Sequence, residues 1–352
     1  MFLTSISHIY EIMNSHLISS GATIVEALDA LNRLKGAPLT LFVTDAEDLL
    51  IGSLTDGDIR RALLGGLTLS DSVEGICNKN CLFIDRDKRD FAVIARARAK
   101  GIRLIPVVKE GKVVSLIDLG RQRGLVPADA VLMAGGMGER LRPLTIDTPK
   151  PLLPVGTRPI IDHNIDLLHS FGIENIFVTV NYLKEQIIAH FADGEKGVKC
   201  VEEPEKLGTM GSLSLVSGFS SPHVIVMNAD LLTDINLEAM YLKHIETEAF
   251  LTMAVVPYTV SVPFAIIRHS ADKVEGLEEK PTYNYLANAG IYMLRREVAD
   301  SLPKGQHLDA PDLIEKLIAD GKRVSLFTID GRWIDIGSPD DYRHAQEVCY
   351  EP

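Results

Sequence analysis

The chain has 352 residues, 46% of them hydrophobic and 24% charged, and carries a net charge of −12; its length suggests about two domains at roughly 150 residues each. That acidic balance argues against a grip on a nucleic-acid polymer, which asks for a basic face, but leaves room for a small, locally basic nucleotide site. No apolar run approaches the roughly 18 residues needed to span a bilayer, Met1–Tyr10 lacks the basic and apolar regions of a signal peptide, and the scattered Cys77, Cys81, Cys200 and Cys349 read as reduced thiols of a cytoplasmic protein rather than a zinc site.

Residues 1–125 hold a weak internal repeat. Thr23-x-x-Glu26 is a capping-box pattern, and Ile24, Leu28, Leu31 and Leu34 then recur at helical spacing up to Gly36. Leu39–Val43 and Leu49–Leu54 read as short strands around a polar turn, followed by a helix at Ile59–Leu64. The pattern partly recurs in a helix at Asp90–Lys100, a strand at Ile105–Val108, a turn at Glu110-Gly111 and a strand at Val113–Ile117. The expectation is helix-strand-strand-helix, twice.

The run Ile51-Gly-Ser-Leu-Thr-Asp-Gly-Asp-Ile-Arg-Arg-Ala-Leu63 resembles a CBS repeat, so the whole part resembles a CBS pair, or Bateman module. The resemblance implies an α+β regulatory or dimerising unit in which Thr55 and Asp58 hold a nucleotide ribose through hydroxyl and carboxylate. The same two residues also suit the start of a helix, as caps. In the second copy Asp118 falls where the threonine belongs and Arg121 where the aspartate belongs, which leaves its ligand site in doubt.

A short joint with Gly124 and Pro127 leads into residues 128–352. Here strand and helix alternate: Ala130–Ala134, helix Ile160–Phe171, strand Ile176–Val180, helix Tyr182–Phe191 and strand Val224–Asn228. Alternation of this kind predicts an α/β domain with a largely parallel sheet and a ligand beyond the carboxyl ends of its strands.

Leu132-Met-Ala-Gly-Gly-Met-Gly-Glu-Arg-Leu-Arg-Pro-Leu-Thr-Ile-Asp-Thr-Pro-Lys-Pro-Leu-Leu-Pro154 is the most informative stretch. Glycines 135, 136 and 138 let backbone approach a phosphate chain, and Arg140 and Lys150 can neutralise it. The spacing is neither the dinucleotide fingerprint nor the P-loop. The full run resembles the signature of sugar nucleotidyltransferases. Further matches follow in order: Leu207-Gly-Thr-Met-Gly211, Met227-Asn-Ala-Asp230, Glu279-Lys-Pro281, Asn288-Ala-Gly-Ile-Tyr292 and Trp333-Ile-Asp-Ile-Gly337.

That resemblance implies a Rossmann-like domain with a mixed, mostly parallel sheet of the glycosyltransferase-A type, and transfer of a nucleoside monophosphate from an NTP to a sugar-1-phosphate. Asp230 and Asp335 would hold Mg²⁺, Lys150 the α-phosphate and Arg140 the β- and γ-phosphates. Lys280 would hold the sugar phosphate, and Glu279 and Asn288 the sugar hydroxyls. Leu132, Ala134, Gly135, Gly136, Gly138, Gly208 and Thr209 would wall the nucleotide. Glu203 occupies the base-reading position. As an acceptor-only group it suits the adjacent N–H donors of guanine and favours GTP over UTP, dTTP or CTP, unless it simply faces solvent in its acidic run. The combination looks like enzymes that supply precursors of bacterial surface glycans, as homo-oligomers with no nucleic-acid or membrane partner. A non-catalytic nucleotide-sugar sensor and a CBS-driven scaffold are the rival readings.

Overall fold

Uninterrupted apolar strands set between helices decide the architecture of the larger unit of the chain. A computed structural model describes residues 13–85, 92–120, 122–194 and 197–350; Met1–Tyr10, Asp90 and Arg121 lie outside them. The chain divides into two units, Met1–Leu125 and Val126–Pro352.

In the first unit β1 (Leu17–Ser19) runs parallel to β2 (Thr40–Thr44), which is antiparallel to β3 (Leu50–Thr55). The second repeat copies this sense: β4 (Ile84–Asp85) is parallel to β5 (Leu104–Lys109), which is antiparallel to β6 (Lys112–Asp118). Glu110 and Gly111 both take positive φ in the β5–β6 turn, the geometry that matches the twist of paired strands. Each repeat buries its own core, one around Ile24, Leu41, Leu54 and Ile59, the other around Ile94, Ala97, Ile105 and Ile117.

The helix Ile24–Arg33 begins at the reciprocal Thr23/Glu26 cap. The helix expected from Ile59 begins at Asp56 instead, because Thr55 and Asp58 form a second capping box. The expected closing helix of the second repeat is missing among the described residues after Asp118. Few residues remain there before the second unit begins at Val126.

The second unit is built on seven strands: β7 (Ala128–Met133), β10 (Ile176–Val180), β11 (Val198–Glu202), β12 (His223–Asn228), β14 (Leu251–Ser261), β17 (Thr282–Arg295) and β18 (Val324–Thr328). Their order is β11-β10-β7-β12-β17-β14-β18. The intervening short strands pair as hairpins: β8 (Pro154–Val155) with β9 (Arg158–Pro159), and β15 (Ile266–Ser270) with β16 (Lys273–Glu278). β13 (Leu231–Thr233) pairs with β19 (Trp333–Asp335). The sheet is mixed and mostly parallel, with β17 running against both neighbours.

Both faces of the sheet are covered. Ala130, Leu132, Ile225, Met227, Ile291 and Met293 pack on one side, and Val131, Val224, Val226, Tyr292 and Leu294 on the other. Successive side chains of a strand point to opposite faces, so burial on both gives uninterrupted apolar runs. Each fully buried aliphatic side chain contributes roughly 1.5–3 kcal/mol.

Beyond the sheet, β14 and β17 continue as a two-stranded arm from Val255/Asn288 to Ser261/Thr282. This antiparallel extension was not legible as helix-strand alternation.

Candidate active site

Parallel pairing brings the strand carboxyl ends to one edge. Met133 at the end of β7 pairs with Asn228 at the end of β12, so the Gly-rich loop and Asp230 emerge side by side. β13 and β19 then pair Leu231 with Asp335, and the Ile336 N–H donates to the Asp230 carbonyl at 3.2 Å. Register alone therefore sets two aspartates from distant segments next to each other.

Lys150 joins them. Its side chain rises from the turn Lys150–Leu152, is only 8% exposed, and makes an ion pair with Asp230 Oδ2. The same ammonium lies 3.9 Å from Asp335 Oδ1. Gly138, at φ 58°, is packed so closely that a Cβ would sit 3.2 Å from Lys150 Cβ and 3.0 Å from Thr145 Cγ2. The positive φ makes glycine the favoured residue at 138, and the close side chains of Thr145 and Lys150 would have to give for any larger one. The Thr145 hydroxyl donates to the Gly138 carbonyl at 2.8 Å and pins the loop.

The carboxylates fit a divalent cation. Asp230 Oδ1 is buried with no hydrogen-bond partner among the described residues. Burial pushes the Asp335 carboxyl up, and Asp230 pushes it further, against the pull of Lys150 and Arg140. Two hard oxygen donors of this kind suit Mg²⁺, which keeps waters and takes substrate oxygens for the rest of its shell. Among the described residues no three His, Cys, Asp or Glu side chains gather as a complete cage.

A cavity of about 540 Å³ opens over this cluster, lined by the expected Ala134, Gly136, Gly138, Arg140, Lys150 and Asp230. The Arg140 guanidinium lies over Gly337, where a Cβ would come within 3.3 Å of it. Met137, Glu139, Lys206 and Gly337 also line the cavity and were not expected. Lys206 carried no motif signal; its place follows from the chain path.

Glu203 is 7% exposed, which overturns the solvent-facing alternative. It follows β11, where its N–H donates to the Val180 carbonyl at 2.9 Å. A Cβ on Gly135 would meet Glu203 Oε1 at 2.8 Å, so the loop passes directly over the carboxylate. Burial raises the Glu203 pKa, while hydrogen bonds from the Thr179 hydroxyl and the Leu207 N–H lower it.

Other expected residues lie elsewhere. Leu132 is fully buried in the sheet core, so its side chain belongs to the fold rather than to the cavity wall. Gly208 and Thr209 are strapped to residues 306–309: the Thr209 N–H donates to Asp309 Oδ1 at 3.2 Å, and Met210 and Gly211 donate to the Leu308 carbonyl. Asn288 donates to the Tyr292 hydroxyl at 2.6 Å, and Gly290, two residues on, packs against the Asn228 amide at the same sheet edge. Glu279 and Lys280 are exposed and do not line the cavity. They precede β17, separated from Asn288 by roughly 20 Å of extended strand. Thr55 and Asp58 bond each other: the Thr55 hydroxyl donates to Asp58 Oδ2 at 2.6 Å, and Arg61 pairs with Asp58 Oδ1.

A family described as nucleotidyl transferase matches residues 129–351, and the CBS domain family matches residues 6–65, which covers the first repeat. Mannose-1-phosphate guanylyltransferase 1 of Arabidopsis thaliana is 32% identical over 231 residues, covering 60% of this chain and 62% of the relative. A UTP–glucose-1-phosphate uridylyltransferase of Synechocystis is 30% identical over 239 residues, with 61% and 62% covered. The chain therefore spans about 62% of the length of these curated relatives. The structure of HddC from Yersinia pseudotuberculosis superimposes with a TM-score of 0.50 at 24% identity, over 63% of this chain and 99% of that one. At that identity the likeness speaks for the fold alone. No helix among the described residues is long and apolar enough to cross a membrane.

Proposed function

Because this chain belongs to the nucleotidyl transferase family, with a CBS domain at its N-terminus, we propose that it transfers a nucleoside monophosphate from GTP to a sugar-1-phosphate. An oxygen of the sugar phosphate attacks the α-phosphorus of the triphosphate. The bond from the α-phosphorus to its bridging oxygen breaks, and pyrophosphate leaves with an NDP-sugar as the other product. The observation that carries this reading is the convergence of Lys150, Asp230 and Asp335 beside the Gly-rich loop.

Two anions must meet in this reaction, so positioning and charge neutralisation dominate its catalysis. Asp230 and Asp335 would hold Mg²⁺, which when bound supplies positive charge between the reacting phosphates. Lys150, fixed between those carboxylates, presents its ammonium to the α-phosphate as charge builds there. The planar fork of Arg140 suits the departing β- and γ-phosphates. Glu203 supports guanine: its carboxylate is buried beside Gly135 and accepts hydrogen bonds only, matching the N1–H and N2–H pair. The sugar side is assigned to Asn288, Glu279 and Lys280 on the strength of their motifs alone.

In the first unit Thr55 and Asp58 are proposed to take a nucleotide ribose as well as to cap their helix. The CBS part is proposed to join copies of a cytoplasmic homo-oligomer, and the product to feed surface-glycan synthesis.

The test is a matrix of GTP, UTP, dTTP and CTP against sugar-1-phosphates with Mg²⁺, reading pyrophosphate release, repeated with Glu203→Gln. GTP should lead in the wild type and lose ground to UTP in the variant. Silence across the whole matrix would favour a nucleotide-sugar sensor, and unchanged base preference in the variant would remove Glu203 as the reader.

A further inference from the structure

The geometry points to Lys206 as an additional phosphate-binding residue, one that makes the cavity attractive to the triphosphate; this rests on the nucleotidyl-transfer reading above. Lys206 lies in an acidic run with Glu202, Glu203 and Glu205, and a surface lysine there would ordinarily pair with a neighbour. Two of those neighbours are engaged elsewhere. Glu202 pairs with Lys184 at 2.6 Å, and Glu203 is buried under Gly135. No carboxylate among the described residues lies within ion-pair distance of Lys206.

Its side chain instead reaches across to the Gly-rich loop, where Nζ sits 3.0 Å from the Met137 sulfur and lines the cavity. A thioether is a weak, neutral acceptor. The ammonium is thus held at the cavity with its charge uncompensated, whereas Lys150 spends its charge on Asp230. The lining carries three cations, Arg140, Lys150 and Lys206, against two carboxylates, Glu139 and Asp230. Without Lys206 these charges cancel, and Asp335 beside them tips the balance negative. With Lys206 the three cations balance these three carboxylates, and a highly charged anion enters a neutral site instead of a negative one. The Met137 contact also explains how a long, flexible side chain is kept at the mouth rather than dispersed in solvent.

The test measures binding of Mg²⁺·GTP and of guanosine, which lacks phosphate, to the full chain by calorimetry, in wild type, Lys206→Ala and Lys206→Arg. Lys206→Ala should bind GTP about 10-fold more weakly, the loss expected for one exposed charge-assisted contact. Guanosine binding should be unchanged, and Lys206→Arg should restore the affinity for GTP. Raised salt should narrow the gap between wild type and Lys206→Ala. Equal GTP affinity in wild type and Lys206→Ala, or a matching loss for guanosine, overturns the role of Lys206 while leaving the transferase reading standing. A wild-type protein that binds neither probe, and none of the other triphosphates, overturns that reading and this inference with it.

Discussion

Asp230 presents one oxygen to Lys150 and leaves the other buried without a partner among the described residues. An unpaired carboxylate oxygen out of water is costly, and the cost is relieved when a cation arrives. Mg²⁺ should therefore raise the melting temperature of the wild type by mass action on the folded state. Asp230→Asn keeps the shape and removes the charge. It should lose the Mg²⁺ effect in thermal melts and lower pyrophosphate release at least about 100-fold, the scale of removing one preorganised electrostatic contact. A Mg²⁺ shift of wild-type size in that variant would take Asp230 out of the metal site. That Lys150, Asp230 and Arg140 belong to one site was legible in their motifs, and all three line the cavity. The orphaned oxygen, the burial of Glu203 and the place of Lys206 were not, because each depends on which distant segment covers it.

Among the elements, the helix Leu237–Glu246 sets a buried imidazole against the sheet. His244 is 1% exposed, its Nδ1 lies 2.8 Å from the Thr252 hydroxyl, and its ring meets that of His223 edge-on at 5.2 Å. Burial lowers the His244 pKa to about 4, helped by His223 and Arg295. The unfolded chain binds this proton near pH 6.5, whereas the folded chain resists it until about pH 4. Between those values the unfolded state holds more protons, so stability falls as the pH falls. The slope due to this one group is at most about 1.4 kcal/mol per pH unit. Urea melts at pH 7, 6, 5 and 4 should show it, and His244→Asn, which keeps a hydrogen-bonding group for Thr252, should flatten it. An equally steep loss in the variant would shift the cause to other groups. Element existence was readable from periodicity and caps, as at Thr23/Glu26 and in Ile176–Val180. The early start at Asp56 was missed because the apolar pattern begins only at Ile59, after the capping turn.

At the scale of the whole molecule, two units with separate cores carry two proposed nucleotide sites. AMP or GMP should raise the melting temperature of the full chain through Thr55 and Asp58. The shift should persist in Asp230→Asn and vanish in Asp58→Asn, which retains a capping side chain. A shift that survives Asp58→Asn would leave the pair with its capping role only. The repeat itself was faint in the residues. The clearer sign is topological, a parallel then antiparallel strand pairing made twice in the same sense.

The sequence by itself determined the candidates proposed for the chemistry, because a glycine run, a lysine between prolines and aspartates after apolar strands carry their properties wherever they fold. It also determined most strands and helices, since alternation and capping are local. Only the tertiary structure decided that Lys150 pairs with Asp230 and lies 3.9 Å from Asp335, that Glu279 and Lys280 are absent from the cavity lining, and that Lys206 reaches over to the loop. Parallel pairing and strand register join residues far apart in the chain, and burial and field arise only from those encounters.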